Sequence, residues 1–419
     1  MTRRLTYVTQ WYRPEPVNAP EWTARGLQAA GWQVRVLTGI PNYPDGVVKP
    51  GYSALRPMRE VINGIPVHRT PLFPSHDHSS VGRILNYVSW ALSAGFFGLG
   101  DVLGASVSYV YSSPATAAWP AMVGRLFGRP YVLCVQDVWP DSVFASGFLT
   151  KGFVRRVAEG GLNFFVNLTY KMARSVVVIS PGMRDLLAGR GVSDDKLALV
   201  YNWVDEDVFR PVGRTPELKA SLGLTPNDFA VVYAGNVGAA QGLRTFVDAI
   251  AAVADPRVHG VLIGDGVEKA ELLQHAEAVA PGRVHFVPPV PAEEVVGLIS
   301  GGDVQLVCLV DNPLFAVTMP SKVQSTLACA LPLIVSVPGD AARIVTEAGA
   351  GFAARAGDPA DLAATIVAAR DAGPEALVAM GNAGRELYLR EMSAEVSITK
   401  LDALLRGREA TPSTREAQR

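Results

Sequence analysis

Short apolar runs punctuate this chain at intervals, and most are followed by a stretch in which apolar positions recur at helical spacing. "LTYVTQWY", near the amino terminus, reads as a buried strand. A proline-rich loop and a helix over Glu21 to Ala30 follow, and Gly31 stops that helix before the next strand, "QVRVLTG". "SVSYVYSS", "PYVLCVQD" and "SVVVIS" continue the series, the last leading into the helix "PGMRDLLAGRG". Strands separated by helices predict βαβ units and a parallel sheet. A polar, turn-rich linker from Tyr201 to Asp228 interrupts the alternation. It restarts with "FAVVYAG", "VHGVLIGDG", "RVHFVPPV", "DVQLVCLV" and "PLIVSV". The expected fold class is therefore α/β with two open parallel sheets. Ligands of such sheets bind at the carboxyl ends of the strands, so the expected site is a cleft between two domains.

Composition agrees with two domains, since 419 residues exceed what one core usually holds. A net charge of −1 offers no basic field for nucleic acid. Cys134, Cys308 and Cys329 are scattered in apolar runs, which suggests buried, reduced thiols and a cytoplasmic protein. The first residues, "MTRRLTYVTQWY", lack a signal-peptide core. Residues 84 to 105 come nearest to a membrane span, but Asn86, Asp101 and several glycines favour a core or interfacial helix. Residues 151 to 174 alternate basic and apolar positions, which suits either a membrane-surface helix or a core helix with arginines on its wet face. A peripheral contact with the cytoplasmic face of a membrane is thus compatible with the sequence. The polar tail from residue 406 onward reads as disordered.

Three junctions in the second half have the layout that holds a phosphate, with free backbone N–H groups beside the positive end of a helix. The first is "YAGNVGAAQGLRTF", with Gly235, Asn236, Gly238 and Gln241; a plain strand–helix turn is the competing reading. The second is "LIGDGVEKAELL", with Gly264 and Gly266, where Asp265 reads as a helix cap. The third is "MPSKVQSTLACALP", where Pro320 and Ser321 precede Lys322 and Ser321 can cap the helix. A cation in a helix's first turn opposes the dipole by roughly 0.3–1 kcal/mol, so its placement suggests an anion at the same end. In the first half, "CVQDVWPDS" puts Asp137 and Trp139 just past a strand end, as a chemical group or as an Asx turn. The loop "WYRPEPVNAPEW" carries Glu15 and Asn18 to the same edge, and Asn202 opens the linker. Asp205 and Asp207 have metal-pair spacing but sit among turn residues, and His76 and His78 lack a third ligand, so no metal site is expected.

With those residues in view, the chain resembles the retaining glycosyltransferases of family 4, which have the GT-B fold of two Rossmann-like domains. The similarity is to bacterial polysaccharide enzymes such as N-acetylfucosaminyl and colanic acid transferases. It is carried by "GIPNYPDGVVKPGY", "INGIPVHR", "QDVWPDS", "VISPGM", "YNWVDEDVFRP", "VVYAGNVGAAQGL", "LIGDG" and "MPSKVQSTLACALPLI", across roughly Leu5 to Leu405. The resemblance implies an acceptor-binding domain over 1–207 and a nucleotide-sugar domain over 208–390. A helix over 391–405 would return to the first domain, ahead of a tail over 406–419. Asn236 and Gln241 stand where the larger family has arginine and lysine, Val317 and Ser325 where it has two glutamates, and Gln136 where a histidine is common. Lys322 then becomes the candidate cation for the donor diphosphate.

The sequence thus suggests a metal-independent glycosyltransferase with no tightly bound cofactor. Its donor would be a UDP-sugar, most simply UDP-N-acetylhexosamine, used with retention. The acceptor would be a small molecule, a lipid-linked sugar or a carrier-bound group offering a hydroxyl or amine. Asp137 and Lys322 are the catalytic candidates. Gly235, Asn236, Gly238, Gln241, Gly264, Gly266, Pro320 and Ser321 would bind the donor. Glu15, Asn18, Trp139 and Asn202 would bind the substrate. A UDP-sugar 2-epimerase of the same fold and a non-catalytic nucleotide-sugar-binding protein are the alternatives.

Overall fold

The computed structural model describes residues 3–75, 80–141 and 153–408. His76 and His78 lie outside them, as does the tail from residue 409. The chain divides into two compact units, Met1–Tyr201 with Glu395–Arg419, and Asn202–Ala394. Each is an α/β unit built on its own sheet.

The first sheet has eight strands: β1 (Arg4–Val8), β2 (Gln33–Gly39), β3 (Met58–Ile62), β4 (Ile65–Thr70), β5 (Val107–Ser112), β6 (Tyr131–Val135), β7 (Ser175–Val178) and β8 (Leu197–Leu199). Their order is β3-β4-β2-β1-β5-β6-β7-β8, parallel except for the β3–β4 hairpin. That hairpin was not expected from the apolar pattern. Its turn is Asn63–Gly64, with φ of 48° and 77°, the backbone that an Asn-Gly pair adopts most readily in a two-residue turn. Connections run outward from β1 to β2 and β4 and then return to β5, so the direction of winding reverses between β1 and β5. This topological switch point is where open sheets leave a crevice at their carboxyl edge.

The second sheet has six parallel strands: β9 (Phe229–Ala234), β10 (Val258–Ile263), β11 (Val284–Val287), β12 (Val304–Cys308), β13 (Leu333–Ser336) and β14 (Gly351–Ala353). Their order is β11-β10-β9-β12-β13-β14, so the switch point falls between β9 and β12. Helices cover both faces. Phe229, Val231 and Tyr233 of β9 join one core cluster, while Ala230 and Val232 join the other. Burial on both faces is why these strands read as unbroken apolar runs. Gly260 on β10 leaves the room that the Phe246 ring fills, its edge 3.0 Å from where a β-carbon would stand. Phe246 is fully buried, a placement that contributes roughly 1.5–3 kcal/mol.

The final helix, Ala394–Leu405, is fixed by contacts in the first unit. Trp32 Nε1 donates to Asp402 at 2.8 Å, Ser397 Oγ donates to the Tyr201 carbonyl at 3.1 Å, and Ile398 lies on the bare backbone of Gly26. Among the described residues no helix is long and apolar enough to cross a membrane. The membrane-like stretch becomes two helices, Ser80–Phe97 and Leu99–Gly104. Cys134, Cys308 and Cys329 are buried free thiols, with desolvation pushing Cys134 up to about 11 and the other two to about 12.

Candidate functional site

At the switch point of the second sheet, the loops after β9 and β10 lie backbone against backbone. Gly235 N–H donates to the Ile263 carbonyl at 2.8 Å and Val237 N–H to the Asp265 carbonyl at 2.8 Å. The approach needs glycine. A β-carbon on Gly264 would stand 2.0 Å from the Gly235 carbonyl oxygen, and one on Gly266 2.1 Å from that of Val237. Gly235 and Gly264 hold φ of 145° and 144°, a region that L side chains rarely adopt. Of the candidate phosphate-binding residues, Gly235, Gln241, Gly264 and Gly266 thus have their N–H groups engaged within the loops, Gln241 to the Gly238 carbonyl at 3.0 Å and Gly264 to the Val287 carbonyl at 3.0 Å. The N–H groups of Asn236 and Gly238 have no partner among the described residues. The side chains of Asn236 and Gln241 pair with each other, Nδ2 to Oε1 at 3.2 Å, so these two positions present neutral amides that hold one another.

Lys322 reaches into this edge from the neighbouring crossover, the Ser321–Ala328 helix between β12 and β13. Its Nζ lies 2.7 Å from where a β-carbon of Gly235 would be, and 5.0 Å from the centre of the Tyr233 ring. A side chain on Gly235 would thus displace the amine. No carboxylate pairs with Lys322 among the described residues. Desolvation lowers its pKa below the usual lysine range, with only the Cys308 thiol acting in the opposite sense. Ser321 does not cap this helix. Pro320 holds the cap position with an extended ψ of 133°, no side chain caps the helix, and Ser321 is its exposed first residue.

Lys269, which the sequence reading missed, also reaches the glycine edge. Its Nζ donates to the Gly264 carbonyl at 2.9 Å and lies 3.9 Å from Asp265, so its charge is already engaged. Asp265 itself accepts from Gly266 N–H at 2.8 Å, and Glu268 occupies the cap position of the following helix.

Asp137 lies on the first unit, two residues beyond β6. Ser113, directly after β5, donates to its Oδ2 at 2.7 Å. The carboxylate keeps access to solvent, yet the protein around it desolvates it enough to raise its pKa, and the Ser113 hydroxyl partly offsets this. Aromatic rings line the approach. Tyr87 stands 6.0 Å from Trp139 and 6.2 Å from Trp11, and Trp11 stands 5.2 Å from Tyr43. Trp11 and Tyr43 follow β1 and β2, and that position alone could have flagged them. Ser113, directly after β5, carries the same positional signal, whereas Tyr87 carries no local one.

The remaining candidates fall in different environments. Glu15 is fully buried, and its oxygens accept from the backbone N–H groups of Tyr12, Asn42 and Tyr43, at 3.1, 2.9 and 2.9 Å. Burial raises its pKa against those three hydrogen bonds, and it anchors the loops after β1 and β2 from within. Asn18 is exposed at the start of the Ala19–Ala29 helix, with its side chain free. Trp139 is half-buried, and its carbonyl accepts from Arg190 at 3.4 Å. Asn202 is half-buried at the first position of the second unit. Val317 and Ser325 bring no carboxylate, and Ser325 Oγ only closes a helical turn onto the Lys322 carbonyl. Asp205 Oδ1 accepts from Asp207 N–H, a turn role, and no cluster of three or more His, Cys, Asp or Glu among the described residues could hold a metal ion.

Comparison with known proteins bears on the fold of the two units. Residues 17–203 match the "Glycosyl transferase 4-like domain" family and residues 228–371 the "Glycosyl transferases group 1" family. A protein of Escherichia coli (strain K12), named for colanic acid biosynthesis as glycosyl transferase WcaI, is 28% identical over 324 residues, 76% of this chain and 79% of the relative. Anabaena HepE, solved in complex with UDP and glucose, has a TM-score of 0.67 at 17% identity, covering 97% of this chain and 100% of its own. Sucrose-phosphate synthase from Thermosynechococcus elongatus has a TM-score of 0.70 at 17% identity, covering 97% and 98%. The two domain matches follow the two sheets, and the chain belongs with the family 4 glycosyltransferases of GT-B fold, resembling the bacterial polysaccharide transferases among them.

Proposed function

We propose that the protein transfers a sugar, most simply N-acetylhexosamine, from UDP to a hydroxyl or amine acceptor, with retention and without a metal ion. The observation that carries this reading is the uncompensated Lys322 amine against the bare backbone of Gly235, at the switch point of the second sheet. A desolvated cation beside free Asn236 and Gly238 amides suits an anion with several oxygens. The complex of HepE with UDP and glucose supports a diphosphate donor.

Two opposite unit charges about 4 Å apart attract by about 4 kcal/mol at an effective dielectric near 20, before desolvation takes its share. Charge on the diphosphate grows as the glycosidic bond breaks, so Lys322 contributes most in the transition state. Asp137 orients the acceptor group or takes its proton, and its raised pKa suits a base that must give that proton up again. No carboxylate stands at the positions of the family glutamates. A front-face departure, with the acceptor's proton going to Asp137 or, where Asp137 only orients the acceptor, to the leaving phosphate, therefore fits better than double displacement. Asn18, Trp139 and Asn202 complete the substrate contacts, while the buried Glu15 touches no substrate and acts only by shaping the loops. Pro320, Ser321, Gly264 and Gly266 complete the donor site.

The test is a mass-spectrometric screen of UDP-sugars against acceptors in EDTA. Transfer with retained anomeric configuration is expected. Turnover of donor without acceptor would point to a 2-epimerase, donor binding without turnover to a binding protein, and strict dependence on magnesium or manganese would end the metal-free reading.

A further inference from the structure

Three buried amide side chains of the first unit form a chain behind the aromatic rings near Asp137. Gln10 Nε2 donates to Asn86 Oδ1 at 2.5 Å, Asn86 Nδ2 to Asn42 Oδ1 at 3.1 Å, and Asn42 Nδ2 to the Ile40 carbonyl at 2.9 Å. All three residues are within 1% of full burial. Asn86, the polar interruption of the membrane-like run, is the middle link. Its Nδ2 also donates to the Phe73 carbonyl at 2.7 Å, which fixes the orientation of the amide, since its oxygen could not donate there. The chain joins the segments after β1, β2 and β4 to the Ser80–Phe97 helix. Each amide immediately precedes one ring: Gln10 precedes Trp11, Asn42 precedes Tyr43, and Asn86 precedes Tyr87. The amides are buried and the rings half-buried.

Stability alone does not call for this arrangement. Apolar side chains of similar size would fill the space with no polar group to satisfy, and Gln10 Oε1 has no hydrogen-bond partner among the described residues. A hydrogen-bond chain instead fixes one relative register of the segments it joins. The backbone supports it, since Thr38 Oγ1 donates to the Gln10 carbonyl at 3.0 Å and Glu15 accepts from the N–H groups of Asn42 and Tyr43. We propose that Asn86 is a positioning residue, acting through Gln10 and Asn42 to hold Trp11, Tyr43 and Tyr87 in one register beside Asp137. An acceptor then meets a wall that is already ordered, which removes the cost of ordering it on binding. That use of the wall rests on the transferase reading, whereas the register does not, and its test needs no substrate.

Protein carrying 5-fluorotryptophan reports the register by fluorine NMR, with the Trp139 line assigned from Trp139→Phe. Asn42 reaches Trp139 through Asn86 and Tyr87. In wild type the line should titrate with the Asp137 carboxyl, above the ordinary carboxylate range, and Asp137→Asn should abolish that titration. Tyr87 and Tyr111 also sense the Asp137 charge, but burial raises both above the usual tyrosine range, so neither titrates in acid. Asn42→Ala removes one link and keeps both backbone bonds to Glu15. It should displace or broaden the Trp139 line and lower its midpoint toward the ordinary carboxylate value as water reaches Asp137. Asn86→Leu should do so more strongly, and adding Asn42→Ala to it should change nothing further. Ser397→Ala removes an equally buried hydroxyl of the same unit, and should lower the melting midpoint while leaving the line in place. If Asn86→Leu fails to fold, as circular dichroism would show, Asn42→Ala decides. An unmoved line and midpoint in Asn42→Ala, effects of the two substitutions that simply add, or an equal displacement in Ser397→Ala would overturn the proposal and leave the amides as a structural tie. The screen of UDP-sugars examines the transferase reading separately, so failure of one is distinguishable from failure of the other.

Discussion

Asp137 and Lys322 are both charged groups brought to the carboxyl edge of a parallel sheet, but they are held differently. Asp137 is open to solvent, has a hydroxyl donor and stands among aromatic rings. Lys322 is largely withdrawn from water, has no acid partner among the described residues and lies on bare glycine backbone. A group that exchanges a proton with a variable acceptor benefits from water access and an adjustable pKa. A group that holds a growing negative charge benefits from a dry setting and from having no competing counter-ion. Lys269 shows the contrast within one loop system, since its charge is already spent on Gly264 and Asp265.

The comparison breaks first at Asp137. Asp137→Asn keeps the shape and removes the proton acceptor, so transfer should fall by about 10²–10⁴-fold with donor affinity little changed. Steady-state kinetics would check this, and wild-type turnover would reduce Asp137 to a turn residue. Next comes the glycine edge. Gly264→Ala places a β-carbon 2.0 Å from the Gly235 carbonyl at a φ of 144°, which should cost about 1–3 kcal/mol or more. The expected result is a lower melting midpoint and lost UDP affinity, read by calorimetry. The smallest effect is expected at Ser113. Its hydroxyl favours the ionised form of Asp137, so Ser113→Ala should raise that pKa further and move the acid limb of the pH–rate profile to higher pH. Because the folded pKa exceeds the unfolded one, the stability Asp137 contributes is full below the ordinary carboxylate range and is lost as pH rises through the folded value. Ser113→Ala should extend that loss to higher pH, which melting curves across the range would show.

The two sheets were legible because doubly buried strands announce themselves as apolar runs. The glycine loops were legible because a close backbone approach leaves no other residue type available at Gly264 and Gly266. Lys322 stood out as a cation at the wrong end of a helix. The geometry around it was not readable. Tyr233, Gly235 and Cys308 meet Lys322 only through the β9–β12 pairing. The same holds on the first unit, where Trp11, Tyr43, Tyr87 and Ser113 come from four separate segments. The β3–β4 hairpin was overlooked although Asn63–Gly64 is a strong turn signal, because β3 is the exposed edge strand of the sheet and its apolar alternation is weak.

Paired titrations of UDP and a UDP-sugar into wild type and Lys322→Met test the central claim most directly. Methionine keeps the length and apolar stem of the side chain but removes the charge. Free UDP carries one more ionisable oxygen on its terminal phosphate than the sugar diester and so stands closer to the charge of the departing group. Lys322→Met should therefore weaken UDP by about ten- to hundredfold and the UDP-sugar distinctly less. Equal affinities for UDP in the folded wild type and variant would show that Lys322 does not meet the diphosphate.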